Sequence, residues 1–355
     1  MGGLEVLVKV NDILDIYEKE VSVNTRNKRK IYNFEINKMV NIYDIKGIIE
    51  SGNYGIRGYN IFFISSPKYR VVMSLSIKDK VINHYVTRYI LIPKLDRYLD
   101  MRNCATRKGM GYSYGIDLLK GYIEKNKMYD RFYILRIDIS KYFYSIDHDI
   151  LKGLIRDKLD NDEYGIVSSI IDSTNNKYIN ERISYIKSSL MDKDIDRKDE
   201  IDKLPLYEYN KGLPIGNMTS QFLSIFYLYK LDYYIVNTLR LKYMVRYMDD
   251  YVIISHDKGY LEEVLIEITR ILKDEYNLSI NRNKTRIFDS YHGFEYLGYI
   301  FCVRDRKTII KRKVSNRKRM VNGIKRSKYL YTRGYLSYRS FFNSISNYYG
   351  NLNGK

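Results

Sequence analysis

The sequence predicts an α+β protein in which an antiparallel sheet is backed by helices, and three observations carry that prediction. Between residues 131 and 300, runs of β-branched and aromatic residues alternate with helical patterns in the order strand, helix, hairpin, helix, strand. The segment "YLEEVLIEITRILKDEYNL" repeats its apolar residues at three- and four-residue spacing, as an amphipathic helix does. No repeat period and no Gly/Ser-rich linker appears in the 355 residues, so any lobes join without a flexible tether.

Taken in order, a helical first third ends near Lys120. "RFYILRIDISKYFYSID" then reads as a strand leading into a turn and a helix. "SQFLSIFYLYKLDYYIVNTL" reads as one long helix, because apolar residues cover most of its face. "YMVRYMDDYVIIS" holds two short strand-like runs that meet at Met248 and Asp249, a hairpin with acids at its tip. Two segments near the ends, "NTRNKRKIYNF" and "IIKRKVSNRKRMVNGIKRSKYLYTRGYLSYRS", are strongly basic, whereas "MDKDIDRKDEID" is acidic and mixed.

Composition narrows the function. Lys plus Arg (61) exceeds Asp plus Glu (42), giving a formal charge of +19. That excess points to a polyanionic partner, with nucleic acid the default. Cys104 and Cys302 stand alone beside four histidines, which gives neither a disulfide framework nor a zinc constellation. "MGGLEVLVKVND" lacks a signal-peptide pattern and puts Val6 where myristoylation wants Ser or Thr. The most apolar stretch, "MTSQFLSIFYLYKLDYYIV", is broken by Lys230 and Asp232, so no membrane span is expected and the location expected is cytoplasmic. Tyrosine is abundant, 39 in all, and in the C-terminal segment it interleaves with Lys and Arg, a mixture able to contact phosphates and stack on bases. An A/T-biased genome would give the same abundance.

The adjacent pair Asp249 and Asp250 raises the chemical question. Two like charges among apolar neighbours cost free energy unless cations neutralise them. A turn exposing two carboxylates at a sheet end can hold one divalent metal, and a third carboxylate on a neighbouring strand allows two. Asp138 in "RIDIS" is the candidate, an acid at the end of an Ile-rich and aromatic strand. Two Mg²⁺ ions about 4 Å apart, with Mn²⁺ as the alternative, activate a 3′-hydroxyl and stabilise a leaving pyrophosphate.

These residues carry a resemblance. "YMDD" flanked by apolar residues, with "LRIDISKYFYSID" upstream and "KGLPIGNMTSQFLSIFYL" between, resembles the palm of a reverse transcriptase in the family's order. "SPKYRVVMSLSIKDKVINHYV" and "CATRKGMGYSYGIDLL" are similar to the two fingers motifs of bacterial reverse transcriptases. "LSINRNKTRIF" is similar to the lysine-bearing stretch after the palm helix, and "FEYLGYIF" to the primer-grip hairpin. The matches span roughly residues 25 to 300. The resemblance implies a right-hand polymerase: N-terminal region and fingers over 1–137, palm over 138–298 with a fingers-type insertion at about 155–211, and a short basic helical thumb over 299–355.

It also implies roles. Asp138 and Asp249 bind both metals and Asp250 completes the cluster. Phe143 matches the bulky residue that blocks a ribose 2′-hydroxyl, its other reading being a core aromatic. Arg70 and Arg107 match positions that grip the incoming dNTP, where guanidinium forks suit phosphate oxygens; each also reads as a surface or duplex contact. Lys284 matches a lysine that approaches the leaving pyrophosphate, or is a solvated lysine. Phe294, Leu297 and Gly298 shape the primer-grip turn, or only pack. Lys311, Arg312, Lys313, Arg317, Lys318 and Arg319 are duplex contacts of the thumb, or a solvated basic face.

One departure is informative. Many reverse transcriptases carry Leu-Pro-Gln-Gly followed by Ser-Pro, whereas this chain reads "LPIGNMTSQ", with Ile215 for the Gln and Gln221 for the Pro. That variant resembles the enzymes of diversity-generating retroelements, which copy with errors at template adenines, and some antiphage-defence reverse transcriptases. The expected partners are a structured template RNA, its complementary DNA and dNTPs. A diversity-generating enzyme would add a small basic accessory protein, and a defence enzyme its own non-coding RNA and an oligomeric assembly. A non-catalytic, maturase-like RNA-binding protein is the competing class, and three costly clustered carboxylates argue against it. Priming by a Tyr or Ser hydroxyl is a third option, for which the sequence nominates no residue.

Overall fold

A computed structural model describes residues 8–65, 68–129 and 131–350. The N-terminal helices Val10–Ile16, Lys38–Glu50 and Ile77–Tyr85 bury Ile13, Ile42, Ile45 and Val81 in the main core. Where a continuous helical third is expected, a hairpin interrupts it: β1 (Asn60–Ile64) pairs antiparallel with β2 (Arg70–Ser74). The cause is a period of two, since Ile61, Val71 and Met73 are buried while Asn60 and Arg70 are exposed. The helix Tyr112–Asn126 outlasts Lys120, because Ile123 continues the buried face begun by Leu119.

The region about 155–211 is helical and packs on that hairpin. Ile179 and Ile183, from the helix Lys177–Met191, share a small core with Ile61, Val71 and Met73. The acidic stretch is engaged there as well. Glu200 accepts the Tyr69 backbone N–H at 2.8 Å, Asp194 accepts the Tyr69 hydroxyl at 2.6 Å, and the Arg197 guanidinium lies 4.3 Å from the Tyr69 ring centroid.

The central sheet holds β3 (Tyr133–Asp138), β4 (Met244–Tyr247), β5 (Asp250–Ser255) and β6 (Arg286–Asp289), in the order β4-β5-β3-β6 with every pairing antiparallel. A boundary at 137/138 therefore falls inside β3. One face presents Leu135, Ile137 and Ile253 to the main core, with Leu261, Val264 and Ile268 of the helix Lys258–Tyr276. The other presents Ile134, Val245 and Val252 to a second core that includes Leu119 and Ile123. No described helix is long and apolar enough to cross a membrane.

The expected long helix is broken. It runs Met218–Tyr227, is interrupted at Leu228 (φ −103°, ψ 14°), and resumes as Tyr229–Tyr233. Tertiary partners take the carbonyls at the break: the Tyr142 hydroxyl donates to Ser224 O at 2.5 Å and Asn103 Nδ2 to Ile225 O at 3.2 Å.

After β6, three more strands form a separate sheet: β7 (Phe294–Tyr296), β8 (Tyr299–Arg304) and β9 (Lys307–Arg312). Residues 299–312 are thus strand rather than helical thumb, because Phe301 and Val303 bury alternate positions against the second core. Only the helices Val314–Thr332 and Tyr338–Gly350 are the basic helical part.

Candidate active site

Strand register sets the geometry. Asp138 ends β3 and Asp250 opens β5, and the two are direct Cα partners, so their side chains leave the same sheet face. Asp249 precedes Asp250 in the hairpin turn, beside Met248 at φ +57°. Burial, reinforced by repulsion from Asp250 and Asp138, pushes the Asp249 carboxyl up to about 6. Burial raises Asp250 as well, against the pull of Arg136.

Two cations answer this charge. Lys284 Nζ contacts both oxygens of Asp138, at 2.8 and 3.1 Å, while its side chain stays 52% exposed. It reaches Asp138 because its turn is stitched to the same strand end: Asn281 N donates to Asp138 O at 2.7 Å, and Asp138 N donates to Thr285 Oγ1 at 3.2 Å. Arg136, two residues before Asp138 on the same face, grips Asp250 with a fork. Its Nε and Nη2 lie 3.0 Å from Oδ1 and Oδ2. Its Nη1 donates to Glu295 O of β7 at 2.9 Å, so one guanidinium joins the acids to the second sheet. Asp249 forms no ion pair with any described residue.

Among the described residues no group of three His, Cys, Asp or Glu is gathered closely enough to hold a metal ion. Asp138 and Asp250 lean on Lys284 and Arg136 instead. The donor set still fits a hard divalent cation: it offers only carboxylate oxygens, set at neighbouring strand ends and carrying charge that burial penalises.

The other sequence-predicted residues divide. Phe143 is half-buried beside Tyr142, their rings 6.0 Å apart, on the segment that follows Asp138. Ile215 O accepts the backbone N–H of Met73 in β2 at 2.9 Å, and Gln221 is half-buried in the helix that follows. Arg70 is exposed at the start of β2. Arg107 is committed elsewhere: its Nε and Nη2 bond the Asp96 carboxylate at 2.8 and 3.2 Å, and its Nη1 donates to Asp100 O at 2.8 Å. In this arrangement it ties its own loop together and presents no open fork to a triphosphate.

Of the predicted primer-grip residues, Leu297 and Gly298 form the β7–β8 turn and Phe294 opens β7. Leu297 (φ +46°) and Gly298 (φ +75°) are both left-handed, Tyr112 donates its hydroxyl to Leu297 O, and Lys313 N donates to Gly298 O at 3.0 Å. Phe294 stacks on Phe301 with centroids 5.6 Å apart. Lys311 is exposed on β9, Arg312 donates to the Tyr299 hydroxyl at 2.8 Å, and Lys313 pairs with Glu295 at 2.7 Å. Lys318 is exposed on the helix that follows, and the side chains of Arg317 and Arg319 lie outside the described residues.

Sequence reasoning missed Arg136 as a site residue. The signal existed, since a period of two places Arg136 and Asp138 on one face of the strand.

Fold and site together define a polymerase palm. The model of the family described as Reverse transcriptase (RNA-dependent DNA polymerase) matches residues 64–301, well over half of the chain, and the chain belongs to that family. No curated protein matches the sequence at a significant level. Among solved structures, apo telomerase from Candida tropicalis is 13% identical, with 73% of this chain and 49% of that chain covered and a TM-score of 0.48. The same enzyme truncated from its C-terminal domain gives 14%, 78%, 60% and 0.48. Telomerase from Candida albicans with a TWJ fragment of telomeric RNA gives 14%, 74%, 48% and 0.48. The chain thus spans about half to three fifths of the length of these proteins.

Proposed function

We propose that this chain copies a structured RNA into complementary DNA with errors, as enzymes of diversity-generating retroelements do. The observation that carries the reading is the register of Asp138 against Asp250 beside Asp249, in a chain of the reverse transcriptase family. In this reading residues 1–137 are the N-terminal region and fingers, up to the strand β3 that the palm shares, 138–298 the palm with its insertion at about 155–211, and 299–355 the thumb, which begins as the strands β8 and β9 and becomes helical only from Val314. Asp138, Asp249 and Asp250 would hold Mg²⁺. When bound, the metal supplies activation of the primer 3′-hydroxyl and charge stabilisation at the leaving pyrophosphate.

The chain's own side chains do the rest. Lys284 turns from Asp138 towards the leaving pyrophosphate, a move its half-exposed stem permits. Arg70, exposed at the end of the β1–β2 hairpin, meets the dNTP phosphates, and Phe143 closes against the sugar. Leu297 and Gly298 steady the primer end. The exposed Lys311 and Lys318 meet the duplex backbone. Ile215 stands where a hydrogen-bonding Gln would check the nascent pair, and an apolar side chain cannot make that check.

The test is to sequence the RNA and DNA that copurify from native cells. Complementary DNA of one RNA, substituted mainly at template adenines and absent from Asp249→Asn, supports the proposal. Faithful complementary DNA would favour a defence role with a dedicated non-coding RNA. RNA without DNA in both proteins would sink the polymerase reading. In vitro, Ile215→Gln is expected to cut misincorporation opposite template adenine by about tenfold, roughly 1.4 kcal/mol of discrimination. An unchanged spectrum removes Ile215 from the account of fidelity.

A further inference from the structure

We propose that Arg246 is a positioning residue for the catalytic turn, holding the backbone that carries Asp249 from beneath the sheet. Arg246 lies on β4 and is fully buried, as is its partner Asp232 on the helical segment Tyr229–Tyr233. The guanidinium is fixed on the Asp232 side by Nε at 2.8 Å from Oδ1 and Nη2 at 2.6 Å from Oδ2, and the Tyr251 hydroxyl donates to the same Oδ1 at 2.9 Å. Its remaining donors go to backbone. Nη2 reaches Ile225 O at 2.7 Å, a carbonyl at the helix break, and Nη1 reaches Met248 O at 2.9 Å.

Met248 is the turn residue with φ +57°, a conformation that an L-residue with a side chain holds only when its surroundings impose it. Arg246 supplies that imposition, and Asp249 follows directly. The backbone of Arg246 is itself anchored, its N–H donating to Arg102 O and its carbonyl accepting from Cys104 N, both at 2.9 Å. Ser224 Oγ contacts Met248 Sδ at 3.7 Å from the same broken helix. An apolar pair would fill this space at less desolvation cost, so the charge is explained by what it fixes rather than by stability.

The inference rests on the polymerase reading, and the experiment separates their failures. Arg246→Lys keeps a cation opposite Asp232 but loses the planar fork that serves Asp232, Ile225 O and Met248 O together. Primer extension is read as kcat and KM for dNTP, Mn²⁺ binding to the protein alone is read by electron paramagnetic resonance, and folding by thermal unfolding. The expected result is a folded Arg246→Lys protein with dNTP KM within about threefold, kcat lowered roughly 10- to 100-fold, and Mn²⁺ bound about tenfold more weakly. Wild-type kcat and Mn²⁺ affinity in Arg246→Lys would overturn the proposal, as would losses that merely track the unfolded fraction. If Arg246→Lys does not fold, Tyr251→Phe takes its place. It removes only a support of Asp232, so the apolar pair Arg246→Met/Asp232→Leu is measured beside it, which deletes the donor to Met248 O without stranding a buried charge. Unchanged kcat and Mn²⁺ affinity in that pair overturn the proposal equally. Should the wild type extend no primer, the polymerase reading fails while the Mn²⁺ arm still tests Arg246.

Discussion

Asp249→Asn is expected to abolish nucleotide addition while making the protein more stable. The activity loss should reach roughly 10³-fold or more, about 4 kcal/mol of transition-state stabilisation, because on the proposed reading the variant removes a carboxylate that would hold the divalent metal. The stability gain follows from the environment of Asp249. Its carboxylate is desolvated, is repelled by Asp250 and Asp138, and forms no ion pair with a described residue. Removing the charge relieves both penalties, and a gain of about 1 kcal/mol in the metal-free protein is expected. Asp138→Asn should be equally inactive without that gain, since it also gives up the contact with Lys284. Primer extension and denaturant unfolding on the two variants check the pair. Equal destabilisation of both would mean that the acids serve the fold rather than the chemistry.

Arg136→Gln should be the most damaging change outside the acids themselves. It leaves the half-buried Asp250 without its fork and strips Glu295 O of its donor. Leaving a partly buried charge unpaired costs about 2–3 kcal/mol here, less than the fully buried case because solvent reaches both groups. The double variant Arg136→Gln/Asp250→Asn should recover part of that loss, giving a coupling energy of about 1 kcal/mol or more by denaturant unfolding. Additive single effects would show that the fork contributes nothing.

The central strands were legible because β-branched and aromatic runs need a pleated, packed surface, and Ile134, Ile137, Val252 and Ile254 mark both of its faces. The acids were legible because nothing in a buried strand explains two adjacent carboxylates. The β1–β2 hairpin carries a weaker signal, the β-branched and aromatic alternation in "NIFFI" and "RVVMS". The helix break carried none. Leu228 is a good helix former, and what breaks the helix is competition for the carbonyls of Ser224 and Ile225 by Tyr142, Asn103 and Arg246, all distant in sequence. The Asp96 partner of Arg107 was not legible for a related reason. A fork that suits phosphate suits a carboxylate equally, and which one it meets depends on a loop that only the fold brings round to Asp96.

The second core settles which parts of this molecule share an interior. Phe294, Tyr296 and Phe301 of the three-stranded sheet share one packed interior with Val245, Val252 and Ile254 of the central sheet, and Arg136 rivets β7 to the acids. The β7–β8 turn is therefore built onto the central sheet as part of one packed block. Beyond Lys313 the described side chains of both terminal helices add nothing to a buried core, though the two helices pack on each other. What joins these helices to the rest is therefore the chain at Lys313, held by its N–H on Gly298 O and its ammonium on Glu295, rather than a shared interior.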